Sequence, residues 1–203
     1  EYRGLDPRFG HWRDTHLEIR GPAVQGIQAV FLEDWYWATE TVPSLEWNAS
    51  AAPDGNMAAL PLETGPADRI EACTLFFLSV IHAARRRLWI ASPYFVPDEA
   101  VTAALQLAAL RGVDVRVMIP DRPDHLLVWL ASFSYLPQMD DCGVRLFRYT
   151  NGFLHQKVLL VDETFAAVGT SNLDNRSMRL NFEINLVVSD TAFAREVEQM
   201  LLT

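Results

Sequence analysis

The stretch Gly152-Phe153-Leu154-His155-Gln156-Lys157-Val158-Leu159-Leu160-Val161-Asp162 decides the reading of this chain. Its second half, KVLLVD, is a short apolar run of the kind that fills a buried strand. Residues two apart on a strand share a face, so His155 and Lys157 point the same way and Asp162 has the opposite parity. An ammonium and an imidazole projected together from an apolar strand need a partner. An anion is the simplest one, because a buried charge left alone costs several kcal/mol. Asp162 reads as a supporting carboxylate at the strand end.

Downstream, Phe165–Gly169 reads as the next strand and runs into the polar turn Gly169-Thr170-Ser171-Asn172. The segment Leu173–Glu183 follows, with Arg176, Arg179 and Asn181 before Glu183 opens a strand over EINLVVS. A phosphoryl group suits this set. His155 supplies a nucleophile or general acid, Lys157 and Asn172 bind nonbridging oxygens, and Glu183 orients an imidazole. Ser171 and Arg176 are candidate substrate contacts.

Upstream, RLWIAS and VDVRVMI read as strands. Helices are expected over about 67–86, from Pro97-Asp98-Glu99 to a left-handed stop at Gly112, and over about 124–141. VRLFRY reads as a strand and TAFAREVEQMLL as a closing helix. Strands alternating with helices predict an α/β sandwich with a central mixed β-sheet flanked by helices. Near the start, Thr15–Arg20 alternates as a half-buried strand does, and Pro22 opens a helix over Ala23–Glu40. The proline-rich stretch 42–66 reads as a connector with one short strand over Met57–Leu62.

Composition narrows the function. The chain has 203 residues, 50% hydrophobic, with 26 acidic against 17 basic residues and a net charge of −9. That balance argues against tracking nucleic acid, which relies on Lys and Arg neutralising phosphates. No apolar run is long enough to span a bilayer. Cys73 and Cys142 have no partner at metal-ligand spacing, and His11, His16, His82 and His125 form no ligand set, so no metal is expected. The beginning EYRGLDPRFG has neither Met nor signal peptide, and is read as a processed or trimmed chain.

The motif HxKxxxxD followed by GxxN resembles the repeated signature of the phospholipase D superfamily. The stretches SPYFVPDEAVTAALQLAALRGVDVRVMIPDRPDH, GFLHQKVLLVD and NLDNRSMRLNFEINL resemble the C-terminal half of a bacterial cardiolipin synthase. EYRGLDPRFGHWRDTHLEIRGPAVQGIQAVFLEDW is similar to the stretch that follows the first motif in such enzymes. The resemblance implies a phospholipase D-like sandwich and transfer of a phosphatidyl group between phosphatidylglycerol molecules through a phosphohistidine, without metal or other cofactor. It implies catalytic roles for His155, Lys157, Asp162, Asn172 and Glu183.

It also implies a division into 1–41, the tail of a preceding catalytic half; 42–66, a connector; and 67–203, a half with one motif. The partners implied are a phospholipid, the missing N-terminal half, a membrane surface and possible homodimerisation, with no nucleic acid. The implied location is the bacterial inner membrane, on its cytoplasmic side. A homodimeric phosphodiesterase or nuclease, or a truncated non-catalytic piece, are the competing readings. Outside the motif, Tyr94 lies just after a strand, where sheet enzymes place site loops, and is a candidate substrate contact. Trp35-Tyr36-Trp37 are expected in core packing or against the missing half. The helix His125–Pro137 is apolar almost all round, which points to burial or an interface, with burial favoured, and the resemblance allows it a place along a lipid entry path.

Overall fold

A computed structural model describes residues 7–203. The chain runs β1 (Trp12–Arg13), α1 (Ala23–Thr39), β2 (Ala58–Thr64), α2 (Ala72–Ala83), β3 (Arg87–Ala91), β4 (Phe95–Val96) and α3 (Glu99–Leu110). It continues through β5 (Asp114–Pro120), α4 (Leu126–Ser132), α5 (Leu136–Asp140), β6 (Arg145–Tyr149), β7 (Phe153–Leu154) and β8 (Val158–Val161). The last elements are β9 (Phe165–Gly169), β10 (Leu173–Asp174), α6 (Asn175–Arg179), β11 (Glu183–Ser189) and α7 (Thr191–Leu202).

Seven strands form one sheet in the order β2-β11-β9-β8-β3-β5-β6. β3, β5 and β6 are parallel, while β8, β9, β11 and β2 add on antiparallel. The expected mixed sheet is therefore present. β8 lies at its centre, and all four of its residues are buried. Alternation along the strands feeds two cores. Leu88, Ile90, Val115, Val117, Leu159 and Val161 face Phe77, Ile81 and Leu105 from α2 and α3. Trp89, Ala91, Leu160, Ala166 and Val168 face Ala194, Val197 and Leu201 of α7.

Helix ends follow local chemistry. Asp98 caps α3 by accepting from the Val101 N–H, and Gly112 takes the left-handed conformation (φ 88°) expected of it. Asp190 caps α7 in the same way through the Phe193 N–H.

Three expectations need correction. The helix over 67–86 begins only at Ala72, because Asp68 accepts from the Gly65 N–H and holds a turn there, leaving Ile70 exposed. The helix over 124–141 is broken into α4 and α5. Pro137 has no N–H to continue it, and Ser132 and Ser134 turn their hydroxyls onto Trp129 and Ala131 carbonyls. Residues 15–20 keep their alternation in burial but pair with no strand among the described residues. The strand expected over Met57–Leu62 is β2, and it pairs with β11 along its whole length. The stretch 42–66 thus ends inside the sheet.

Candidate active site

The site is built where β7 leads into β8. β7 pairs in parallel with β1, setting Trp12 beside Phe153 and Arg13 beside Leu154. The His155 N–H donates to the Arg13 carbonyl at 2.8 Å, which fixes the next residue, Asp14, beside the imidazole. Asp14 Oδ2 lies 2.9 Å from His155 Nδ1, and the Trp12 ring lies 5.0 Å from the imidazole. Partial burial works against the charge of Asp14. The His155 hydrogen bond, the Thr15 N–H and the charges of His155 and Lys157 outweigh it and hold the carboxyl below its ordinary value.

His155 and Lys157 do share a face. Lys157 Nζ donates to the His155 carbonyl at 2.7 Å and lies 3.0 and 2.9 Å from the two ring nitrogens. Lys157 is the only lysine in the chain. Burial pulls its pKa down to about 8, against the opposing pull of Asp14, Glu183, Asp124 and Asp174. An amine so placed is poorly compensated for its lost water, and an incoming anion would raise its pKa back toward the ordinary value.

Asn172 and Glu183 join one chain of hydrogen bonds. The Asn172 N–H donates to Ser177 Oγ at 3.0 Å, and the Ser177 hydroxyl donates to Glu183 Oε1 at 2.6 Å. Asn181 Nδ2 adds a second donor to that carboxylate. Asn172 Oδ1 is buried without a hydrogen-bond partner. Glu183 is therefore not the acid on His155; Asp14 holds that place.

The other candidates separate clearly. Asp162 is at the far end of β8, where its carboxylate accepts from the Arg85, Arg86 and Arg87 backbone N–H groups. It fastens the start of β3 and hydrogen-bonds to neither His155 nor Lys157. Burial opposes its ionisation, but those three N–H groups and the Arg86 charge hold its carboxyl below the usual range. Ser171 is buried and accepts from Asn185 Nδ2 at 2.8 Å, so it faces the core rather than a ligand. Arg176 is exposed on α6, outside the hydrogen-bonded cluster. Tyr94 donates to Asp124, a carboxylate close enough to act on Lys157, which keeps Tyr94 at the rim of the site. Ser92 ties that rim to the centre, donating to the Tyr94 carbonyl and accepting from the Leu173 N–H.

A single family model covers most of this architecture: "Cardiolipin synthase, PLD-like domain" matches residues 77–202. The chain belongs to this phospholipase D-like family. Cardiolipin synthase A of Pseudomonas entomophila is 56% identical over 201 residues, which are 99% of this chain and 42% of that protein. Cardiolipin synthase A of Pseudomonas putida is 56% identical over 202 residues. The chain thus spans under half the length of these relatives. Among solved structures, the phospholipase D family member Nuc from Salmonella typhimurium has a TM-score of 0.59 at 21% identity, over 71% of this chain and 91% of Nuc. Phosphatidylserine synthase of Haemophilus influenzae has a TM-score of 0.56 at 19% identity, over 78% of this chain and 40% of that one. These two likenesses show the shared fold.

Asp14 is the functional residue that sequence reasoning passed over. A signal existed within the family pattern. Asp14-Thr-His-Leu-Glu-Ile-Arg leads to a helix from Ala23, as Glu183-Ile-Asn-Leu-Val-Val-Ser leads to a helix from Thr191. An acid heads an alternating stretch and a helix in both places, with Leu17 matching Leu186 and Ile19 matching Val188.

Proposed function

We propose that this chain carries one catalytic half of a cardiolipin synthase, which moves a phosphatidyl group from one phosphatidylglycerol to the hydroxyl of another. The observation that carries the reading is the Asp14–His155–Lys157 arrangement. Asp14 accepts from Nδ1–H and thereby leaves the lone pair on Nε2, the tautomer a nucleophilic imidazole needs. Lys157 lies against the same ring, where its ammonium neutralises the nonbridging oxygens of a diester. The Asn172 amide is a further contact for those oxygens.

In this reading Nε2 of His155 attacks phosphorus and the glycerol oxygen leaves with a proton from a second imidazole. That imidazole then takes the proton of the acceptor hydroxyl, whose oxygen attacks phosphorus and expels Nε2. The second imidazole belongs to the remainder of a chain of the relatives' length. Glu183, matching Asp14 in its strand–helix setting, is the acid that orients it. Residues from about 58 onward form one half, and the segment through α1 closes the other. Asp162 supports the strand, and the reaction needs no metal. The substrates place the enzyme at the bacterial inner membrane with the site facing the cytoplasm.

The test is His155→Ala in a synthase of full relatives' length. Cardiolipin formation from phosphatidylglycerol should fall to the detection limit while circular dichroism and Tm hold, since one half-exposed polar side chain contributes little to the core. Synthesis near the parent rate would remove His155 from the mechanism.

A further inference from the structure

The apolar helix expected to be buried is not. Leu126, Leu127 and Leu130 of α4 are 59%, 82% and 49% exposed, and Leu127 is the most exposed large hydrophobic side chain among the described residues. Spacings of three and four put these leucines on one face. The adjoining flank is firmly held. Trp129 and Phe133 meet edge-on at 4.5 Å, and the Arg148 guanidinium lies 4.8 Å from the Phe133 ring and 5.9 Å from the Trp129 ring. The leucines are thus carried outward on a fixed base of two aromatic rings and a stacked guanidinium.

α4 also sits beside the site. It packs on β4, which pairs with β10 immediately after Asn172. It begins two residues after Asp124, the carboxylate that takes the Tyr94 hydroxyl and acts on the charge of Lys157. Around its start Asp121 is paired with Arg148, and Asp124 is engaged by Tyr94 and lies 4.0 Å from His125 Nε2, which leaves the exposed Arg122 as the charge open to an anionic partner. The carboxylates Asp140 and Asp141 lie at the other end, where α5 finishes.

From this placement we infer that α4 is the membrane-docking element of the site: Leu126, Leu127 and Leu130 enter the outer acyl region of an anionic phospholipid bilayer while Trp129, Arg148, Arg122 and His125 lie at headgroup level. The inference rests on the phosphatidyl-transfer reading, because it is a lipid phosphodiester that must reach Lys157. A short helix cannot span a membrane, but exposed leucines over an aromatic and cationic belt match the pattern of an interfacial element. Docking there sets the headgroup plane at the Tyr94–Asp124 rim, so a lipid reaches His155 without leaving the bilayer completely.

The test uses the 203-residue chain and vesicles of equal phosphatidylglycerol and phosphatidylcholine. Replacing the three leucines together (Leu126→Ser, Leu127→Ser, Leu130→Ser) should lower vesicle partition at least about tenfold with circular dichroism unchanged. Leu107→Ser with Leu110→Ser, exposed apolar residues on α3, serve as the control and should leave partition within about twofold. Equal loss in both variants, or no loss in the α4 variant, overturns the inference. So does an α4 variant that turns a dimer into a monomer by sedimentation velocity while vesicle binding persists, because the face would then be meeting a second copy.

Activity at the relatives' full length separates this inference from the reading beneath it. The α4 variant should lose at least about tenfold on vesicle phosphatidylglycerol and keep its rate on monomeric short-chain phosphatidylglycerol, whereas His155→Ala loses both. A parent enzyme inactive on both substrates overturns the transfer reading, and vesicle partition still decides the docking.

Discussion

Asp14 and His155 are 141 residues apart in the chain and 2.9 Å apart in the fold. Two short parallel strands make that meeting possible. Phe153 N–H donates to the His11 carbonyl and His155 N–H to the Arg13 carbonyl, so the backbone around Asp14 is clamped on both sides of β7. The imidazole then needs no further guide to its orientation. A carboxylate on Nδ1 sets the tautomer and stabilises the positive charge that forms when Nε2 is used.

Asp14→Asn keeps the shape and removes that charge. An asparagine amide turned to donate to Nδ1 would select the wrong tautomer. At the relatives' full length, turnover should fall about a hundredfold or more, with substrate affinity little changed. Steady-state cardiolipin formation across substrate concentration checks this. A rate within a few-fold of the parent would show that Asp14 is only a surface partner of the ring.

Gly152 should show the same dependence from the backbone side. It has φ 115°, and a Cβ there would lie 2.1 Å from the His11 carbonyl oxygen. Gly152→Ala must push β1 away from β7, and the displaced segment carries Asp14 with it. The expected result is an activity loss like that of Asp14→Asn, together with a lower Tm. Normal activity with a lowered Tm would mean that β1 can shift while the Asp14–His155 contact survives.

Lys157 gives a pH dependence whose sign follows from its lowered pKa of about 8. Below that pH the amine is charged and should hold sulfate or phosphate; above it the charge and the anion are both lost. Stability runs the other way. The buried amine sheds its proton at about 8 while the unfolded chain keeps its own to about 10.5, so this group favours folding more as pH rises between the two. Calorimetry of phosphate binding from pH 6 to 10 should show affinity falling through about 8, with Lys157→Met binding weakly throughout. Because no other lysine is present, the selectively labelled Nζ can be titrated directly by NMR. A midpoint near the ordinary lysine value would contradict the burial argument.

The sheet strands and the His155–Lys157 pair were legible because both depend on local periodicity. KVLLVD and FAAVG are apolar runs bounded by turns, and two-residue spacing on a strand fixes a shared face. The contact that orients His155 was not legible in this way. It depends on β1 and β7, each two residues long, too short to leave a period. The burial of α4 was misjudged for a related reason. Composition shows that a helix is apolar all round, but not whether a neighbour covers it, and here only the Trp129–Phe133 side is covered. Glu183 was expected beside an imidazole, whereas its Oε1 accepts from Ser177 and Asn181, a pair of local contacts that no spacing rule reveals.

Asp162 separates support from chemistry. Its φ of 50° is left-handed, a conformation asparagine tolerates, so Asp162→Asn tests the charge without adding backbone strain. The loss of charge-assisted bonds to three backbone N–H groups should cost about 1 kcal/mol at this partly solvated position. The folded carboxyl is lowered, so its contribution is present above pH 3.8 and is lost as pH falls through the folded value. Tm should therefore differ between parent and variant at pH 7 and converge at low pH. Phosphate binding at Lys157 should be unchanged, and its loss would place Asp162 in the chemistry after all.

The final expectation concerns α1. Val24, Phe31 and Trp35 stand on one side of this helix at spacings near 3.6, all exposed, while Val30 on another side is buried. In α7 the positions that match Val24 and Phe31, counted from Glu183 as those are from Asp14, are Phe193 and Met200, which pack against the core beside Ala194, Val197 and Leu201, so α1 has the form of a helix made for a sheet that these residues do not supply. An apolar stripe of that length in water favours self-association, and a twofold arrangement is the least demanding. The 203-residue chain should be dimeric at micromolar concentration and have negligible synthase activity alone, since it brings one imidazole to chemistry that uses two in the proposed reading. Phe31→Ser with Trp35→Ser should move it toward monomer in a light-scattering concentration series, without changing phosphate binding at Lys157. A strictly monomeric parent with full synthase activity would show that one motif suffices, and would leave the α1 stripe without the role argued for it.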